Sequence, residues 1–264
     1  MKIYGLLLIL FLSFYSVSTE AEVQSQMKEK IWEFEIMPYL FLPDVDATVS
    51  IGPFSDHVSK SVGDLLPDLN AAIMLRTEIW RKRFGFIFDG IYMNIGSQTF
   101  TSPPLNLPLL NTDVKMGLLN FLFTYRVFNH TFSDNKKYPL RLVFEPQLGL
   151  RWNILDTQFT LLDTFSNDGS TQWVDPLMGA NIEFFITRGF SIVARGDVGG
   201  FGVPGGSEIN WTFDTFLSYR FHKIFGLFAG YKVCEIDYKK DSTIGQKEFD
   251  VFFHGPLIGV LFFF

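Results

Sequence analysis

The chain has 264 residues, 47% of them hydrophobic, and its 22 basic and 28 acidic residues leave a formal net charge of −6. That balance excludes a general nucleic-acid binder, which is basic. The single cysteine, Cys234, excludes an internal disulfide and a cysteine-based metal site, and no cofactor or metal is predicted.

In chain order, Lys2 is followed by an almost wholly apolar run from Ile3 to Val17, then by small residues at Thr19 and Ala21. This is the layout of a secretory signal, with cleavage expected after Ala21. Residues 1–21 are then a signal peptide and residues 22–264 a single domain. Without Lys2 and Glu20 the balance is 21 basic against 27 acidic residues, still −6. No later run is apolar enough for a spanning helix of about 20 residues. A transmembrane β-barrel resolves this, because its apolar residues occupy every second position of short strands. The 31 phenylalanines suit such strands.

The first strand is read from Lys30 to Leu42, with Trp32, Phe34, Ile36, Leu40 and Leu42 on one face and Glu33, Glu35, Met37 and Tyr39 on the other. Short arms on either side of a Gly52-Pro53 turn read as strand extensions beyond the membrane. Gly63 to Leu66 suggests one helical turn, stopped by Pro67. Further strands are expected at 69–80, 84–96 and 112–127, with a proline-rich loop at 97–111 between the last two. The strand at 140–154 alternates throughout: Leu140, Leu142, Phe144, Pro146, Leu148, Leu150, Trp152 and Ile154 oppose Arg141, Val143, Glu145, Gln147, Gly149, Arg151 and Asn153. Pro146 removes one ladder hydrogen bond, so a bulge is expected there. Strands at 172–186, 190–201, 209–221 and 225–238 follow, separated by loops at 163–170, 202–206 and 239–245 and by tight turns. The last strand, 246–264, is apolar and ends Leu-Phe-Phe-Phe, where Phe262 and Phe264 resemble an assembly signal for outer-membrane barrels. Short turns alternating with longer loops, and an even strand number, fit an outer-membrane barrel of ten antiparallel strands, with twelve as the alternative.

Several motifs recur in a familiar order: Pro38-Tyr39-Leu40-Phe41-Leu42-Pro43, Gly63-Asp64-Leu65-Leu66, Phe84-Gly85-Phe86, Asp89-Gly90-Ile91-Tyr92, Trp173-Val174-Asp175-Pro176, Arg195-Gly196-Asp197 with Gly199-Gly200-Phe201-Gly202, Gly230-Tyr231-Lys232 and His254-Gly255-Pro256-Leu257. Together they resemble a family of uncharacterised bacterial outer-membrane β-barrel proteins of about this length. The resemblance implies architecture and a Gram-negative outer-membrane location, and brings no catalytic residues. Phe263 departs from it, where a polar residue is expected.

The polar parity of the strands gathers Glu33, Glu35, Arg76, Glu78, Asp89, Arg126, Arg141, Glu145, Arg151, Asp175, Glu183, Arg195, Asp197, Asp214, Arg220 and Lys232. In a barrel this face is the lumen. Ten strands are little wider than the eight that side chains fill, so these groups are expected to pair as a plug with at most a narrow solute or ion path. The other readings are a structural or surface-recognition barrel acting through its outer loops and a lipid-modifying enzyme. The four histidines, His57, His130, His222 and His254, form no legible arrangement with a nucleophile and an acid. Expected partners are outer-membrane lipid and the barrel-assembly machinery; the sequence specifies no oligomeric state.

Overall fold

The computed structural model describes residues 32–51, 54–102, 107–133, 138–161, 165–242 and 245–264. The signal-peptide reading, the Gly52-Pro53 turn and the tip of the proline-rich loop fall outside them. The strands are β1 (Trp32–Phe41), β2 (Asp44–Ile51), β3 (Phe54–Lys60), β4 (Leu69–Arg81), β5 (Phe84–Ser102), β6 (Leu107–Tyr125), β7 (Phe128–Thr131), β8 (Arg141–Leu161), β9 (Phe165–Phe185), β10 (Phe190–Gly200), β11 (Ile209–Arg220), β12 (Phe225–Ser242) and β13 (Gly245–Phe263). All pairings are antiparallel, in the order β1-β4-β5-β6-β8-β9-β10-β11-β12-β13, and β13 pairs back to β1. The wall is therefore a ring of ten strands closed through β1 and β13.

Ten rather than twelve strands cross because β2 and β3 only lengthen the wall. Phe41 pairs with Leu257 and Asp44 with His254, so β1 and β2 share one register along β13, interrupted at Leu42-Pro43. β3 pairs with β2 and lies past the end of β4. Between β3 and β4 the chain makes one turn of helix, α1 (Val62–Leu65), and a 3-10 turn from Leu66 to Asp68. The α-helical turn ends before Pro67, as expected, and Pro67 takes an early position of the 3-10 turn that follows, where no N–H is needed.

The hydrogen-bonded row that starts at Glu35 passes Glu78, Ile87, Leu122, Gly149, Leu177, Gly199, Asn210, Ile236 and Val251 and returns to β2 at Ala47, a stagger of 12 residues (47 against 35). With ten strands, a rise of about 3.3 Å and a spacing of about 4.8 Å, this stagger sets a tilt of about 40° and a radius of about 10 Å. Such curvature brings neighbouring backbones close on the lumen side. A Cβ at Gly149 would collide with the Phe121 carbonyl, and one at Gly230 with that of Thr215, so only glycine fits there.

The outward parity carries the apolar residues foreseen from the alternation. Along β1 it runs from Trp32 to Leu42 before Asp44 interrupts it; along β8 it includes Leu148, Leu150 and Trp152, each exposed. Ten residues at a 40° tilt make a belt about 25 Å tall, the thickness of a bilayer's apolar layer. At the turn end the belt closes on aromatic rings, among them Trp32, Phe84, Tyr125, Tyr219 and Phe264. The protein is a membrane-spanning β-barrel of the outer-membrane type. No described helix is long and apolar enough to cross a membrane.

Three loops are shorter than the sequence implies. β5 runs on to Ser102 and β6 begins at Leu107, β9 begins at Phe165, and β12 and β13 reach Ser242 and Gly245. Polar residues there continue to pair above the belt, because a twisted hairpin satisfies its backbone better than an open loop does. The bulge expected at Pro146 falls on its neighbour. β8 pairs with β9 without a break through Pro146, while Thr124↔Gln147 and Phe128↔Phe144 differ in register by one residue. The slack is taken up at Arg126-Val127, opposite the missing N–H.

β1 is the least tightly laced strand. Its ladder to β13 skips Met37 and Pro38, and its ladder to β4 stops at Pro38↔Leu75. Phe34 and Phe264 exchange backbone bonds and Leu42 N–H donates to the Pro256 carbonyl, so even-numbered residues of β1 face β13. Pro38 thus has no N–H to give Val260, and Pro256 none to give Leu42.

Candidate functional site

All sixteen charged residues singled out from the sequence lie on the lumen parity of their strands. Those nearest the turn end and mid-depth form several linked groups. Glu78 accepts from Arg76 Nε at 2.8 Å and from Trp80 Nε1 at 3.0 Å, with Arg195 Nη2 3.7 Å away. Arg76 Nη1 also donates to Asp89 at 3.1 Å, and Tyr39 Oη donates to the other Asp89 oxygen at 2.8 Å. Lys232 Nζ donates to Asp214 at 2.8 Å. Glu145 takes Arg126 Nε and Asn181 Nδ2, each at 2.8 Å, and Glu33 lies 3.9 Å from Arg126.

Two hubs stand out. Arg151, only 1% exposed, donates to Asn120 (2.8 Å), Asn210 (2.7 Å), Asp197 (2.6 Å) and Thr212 (3.0 Å), tying β8 to β6, β10 and β11. Asp175, fully buried, accepts from Asn153, Trp173, Asn210 and both the backbone N–H and hydroxyl of Ser207, at 2.7–3.1 Å. A carboxylate met by five donors is satisfied without a cation. Arg141 and Arg220 instead stack on Phe185 and Phe263, and Glu183 accepts from Ser191 at 2.7 Å. Aromatic Phe263, which departs from the polar residue expected there, faces inward and serves as the platform for Arg220. Glu35 sits directly across the ladder from Glu78, a like-charge pair.

The charged list covers only half of the lumen. A buried apolar cluster fills much of the rest: Phe41, Met74, Met93, Met116, Trp173, Ile236, Tyr238, Val251 and Phe253 belong to it, and Val193, Phe216, Phe228 and Leu261 carry it toward the turn end. Trp173 and Tyr238 stack with ring centroids 4.1 Å apart. The signal was available in the sequence, since both parities of β13 are apolar there. One of those parities must face inward. Within the charged network a cavity of about 10 Å³, bounded by Tyr39, Arg76, Arg195, Lys232 and Leu257, has room for about one water.

Beyond the belt, Asp250 faces Asp237 across the β12–β13 ladder. Partial burial and then the Asp237 charge push the Asp250 carboxyl above the usual carboxylate range. Lys239 answers this acidic face, 3.0 Å from Glu248 and 3.5 Å from Asp237, and its hydrogen bond with Glu248 raises its ammonium pKa. Of the histidines, His254 faces outward and shares a 2.8 Å hydrogen bond with Tyr231, His57 lies 3.3 Å from the Thr48 hydroxyl, His130 packs tilted against Phe128 and edge-on to Phe132, and His222 lies in the β11–β12 turn.

No protein-family model and no curated protein matches the sequence. Solved structures with a similar fold include Ail, the attachment invasion locus protein of Yersinia pestis (10% identity over 88% of this chain and 98% of that one, TM-score 0.35). Neisserial surface protein A is 13% identical over 88% and 96%, with TM-score 0.32. The outer membrane protease OmpT of Escherichia coli is 7% identical over 88% and 97%, with TM-score 0.41. The strand pairing described above, not these alignments, defines the barrel.

Proposed function

We propose that the protein is a shut outer-membrane barrel whose lumen passes ions or small solutes only narrowly and slowly. The observation that carries this is how many lumen-facing side chains are buried against one another among the described residues: ion-paired and hydrogen-bonded groups interlock with one buried apolar cluster, and a cavity among them has room for about one water. Conductance of the refolded protein in planar bilayers tests it. Rare, small openings that change when Arg151 or Asp197 is neutralised are expected; a large, steady, water-filled conductance would overturn the reading.

A second reading is favoured by the paired hairpins that rise above the belt, of which β8–β9 extends to Leu161↔Phe165. They offer a stiff surface for recognition outside the cell. Loss of recognition on shortening residues 97–111 or 163–170, with conductance unchanged, would support it. The motif series from Pro38 to Leu257 remains the ground for placing the chain in the uncharacterised barrel family. Exposed Phe264 and its neighbour Phe262, which packs edge-on against Phe225 at 5.3 Å, fit an assembly signal. Replacing Phe264 by serine should then lower the yield of folded barrel in the outer membrane.

A further inference from the structure

Charge on the outer surface of the barrel is unevenly divided, with Lys115 and Lys239 lying among the acids of the loop end. At the turn end, Arg81, Lys82 and Arg83 are exposed in the β4–β5 turn, Arg188 lies in the β9–β10 turn and Lys223 in the β11–β12 turn. The acids described at that end (Glu33, Glu35, Glu145 and Glu183) all sit on the lumen parity. Outward-facing acids such as Asp46, Asp237, Glu248 and Asp250 lie beyond the other end of the belt. The basic turns adjoin the aromatic girdle directly. Arg81 lies over the Trp32 ring with Cζ 5.3 Å from its centroid, and Arg81 pairs with Phe84 across the ladder.

From this we infer that the turn end is a binding surface for anionic phospholipid headgroups of the bilayer in which the barrel sits. Rings anchored at the membrane boundary place these cations at headgroup depth, where each Lys or Arg attracts phosphate. The conformation of Lys82 points the same way. Its φ is +58°, in the left-handed region where glycine or asparagine costs least, yet the position holds a long cationic side chain. The inference rests on the membrane-spanning reading and gives one of its faces a lipid preference.

The test uses the full chain refolded into phosphatidylcholine vesicles that contain a trace of spin-labelled phosphatidylglycerol or spin-labelled phosphatidylcholine. Electron paramagnetic resonance then gives the fraction of each label held at the protein. We expect phosphatidylglycerol to be held at least threefold more strongly than phosphatidylcholine, with the preference collapsing toward one in 1 M salt. Arg81→Gln/Lys82→Gln/Arg83→Gln should remove most of it, and Asp237→Asn/Asp250→Asn should not. Lys82→Gly should lower the preference while leaving the barrel at least as stable, which separates headgroup binding from folding. Equal association of the two lipids with the native chain, or an undiminished preference in the triple variant, would overturn the inference. Failure of the membrane-spanning reading itself would look different: no folded β-signal in vesicles of any composition.

Discussion

Replacing Arg151 by methionine removes the cation that joins four strands at mid-lumen while keeping most of the aliphatic volume. Its guanidinium makes four hydrogen bonds, and the 2.6 Å contact with Asp197 is the shortest ion pair described in the lumen. The Asp197 side chain is 16% exposed against 1% for Arg151, so water replaces the lost partner only in part. Breaking a buried pair from one side costs about 3–5 kcal/mol, whereas removing both charges is often close to neutral. Arg151→Met should therefore lower stability by about 3 kcal/mol or more, and Arg151→Met/Asp197→Asn should recover about 2 kcal/mol of that loss. Urea titrations of the barrel in lipid vesicles, followed by tryptophan fluorescence, measure both. A loss below about 1 kcal/mol, or a double variant as unstable as the sum of its parts, would refute the hub.

Leu148, 63% exposed near the middle of the belt, should cost about 2–4 kcal/mol as arginine, whereas Ile209→Arg at the loop-end margin should cost about 0–1 kcal/mol; equal losses in the same titration would mean that the belt is misplaced. Glu35→Gln relieves the like charge opposite Glu78 and should raise stability by about 0.2–1 kcal/mol, with a fall counting against that repulsion. Hydrogen exchange should find the β1 amides around Pro38 faster than those of β11 and β12 at similar depth. Pro38→Val, which supplies an N–H toward Val260, should slow them and add about 0.5–1.5 kcal/mol; unchanged exchange would show that the seam is already tight.

Alternation alone was enough to tell which face meets lipid in strands such as β8, where one parity is polar. The side-chain period of two leaves no intermediate choice: Leu148 and Gln147 must point to opposite sides, and they do. Strand number was legible for the same reason, since each crossing needs about ten alternating residues and the arms around Gly52 have fewer. Sequence also collected the lumen charges by parity, but parity has no angular coordinate. Arg76 meets Glu78 along its own strand and Asp89 across the adjacent hairpin, but that Arg195 reaches Glu78 across the lumen depends on the stagger of 12 residues around the ring. That stagger is a property of closure, and no single strand contains it. The apolar part of the lumen was lost to the same limit, because an apolar residue on β13 looks alike whether it faces lipid or the barrel axis. Only the closed ring decides that Phe253 and Val251 join Trp173, Tyr238 and the methionines in one buried cluster.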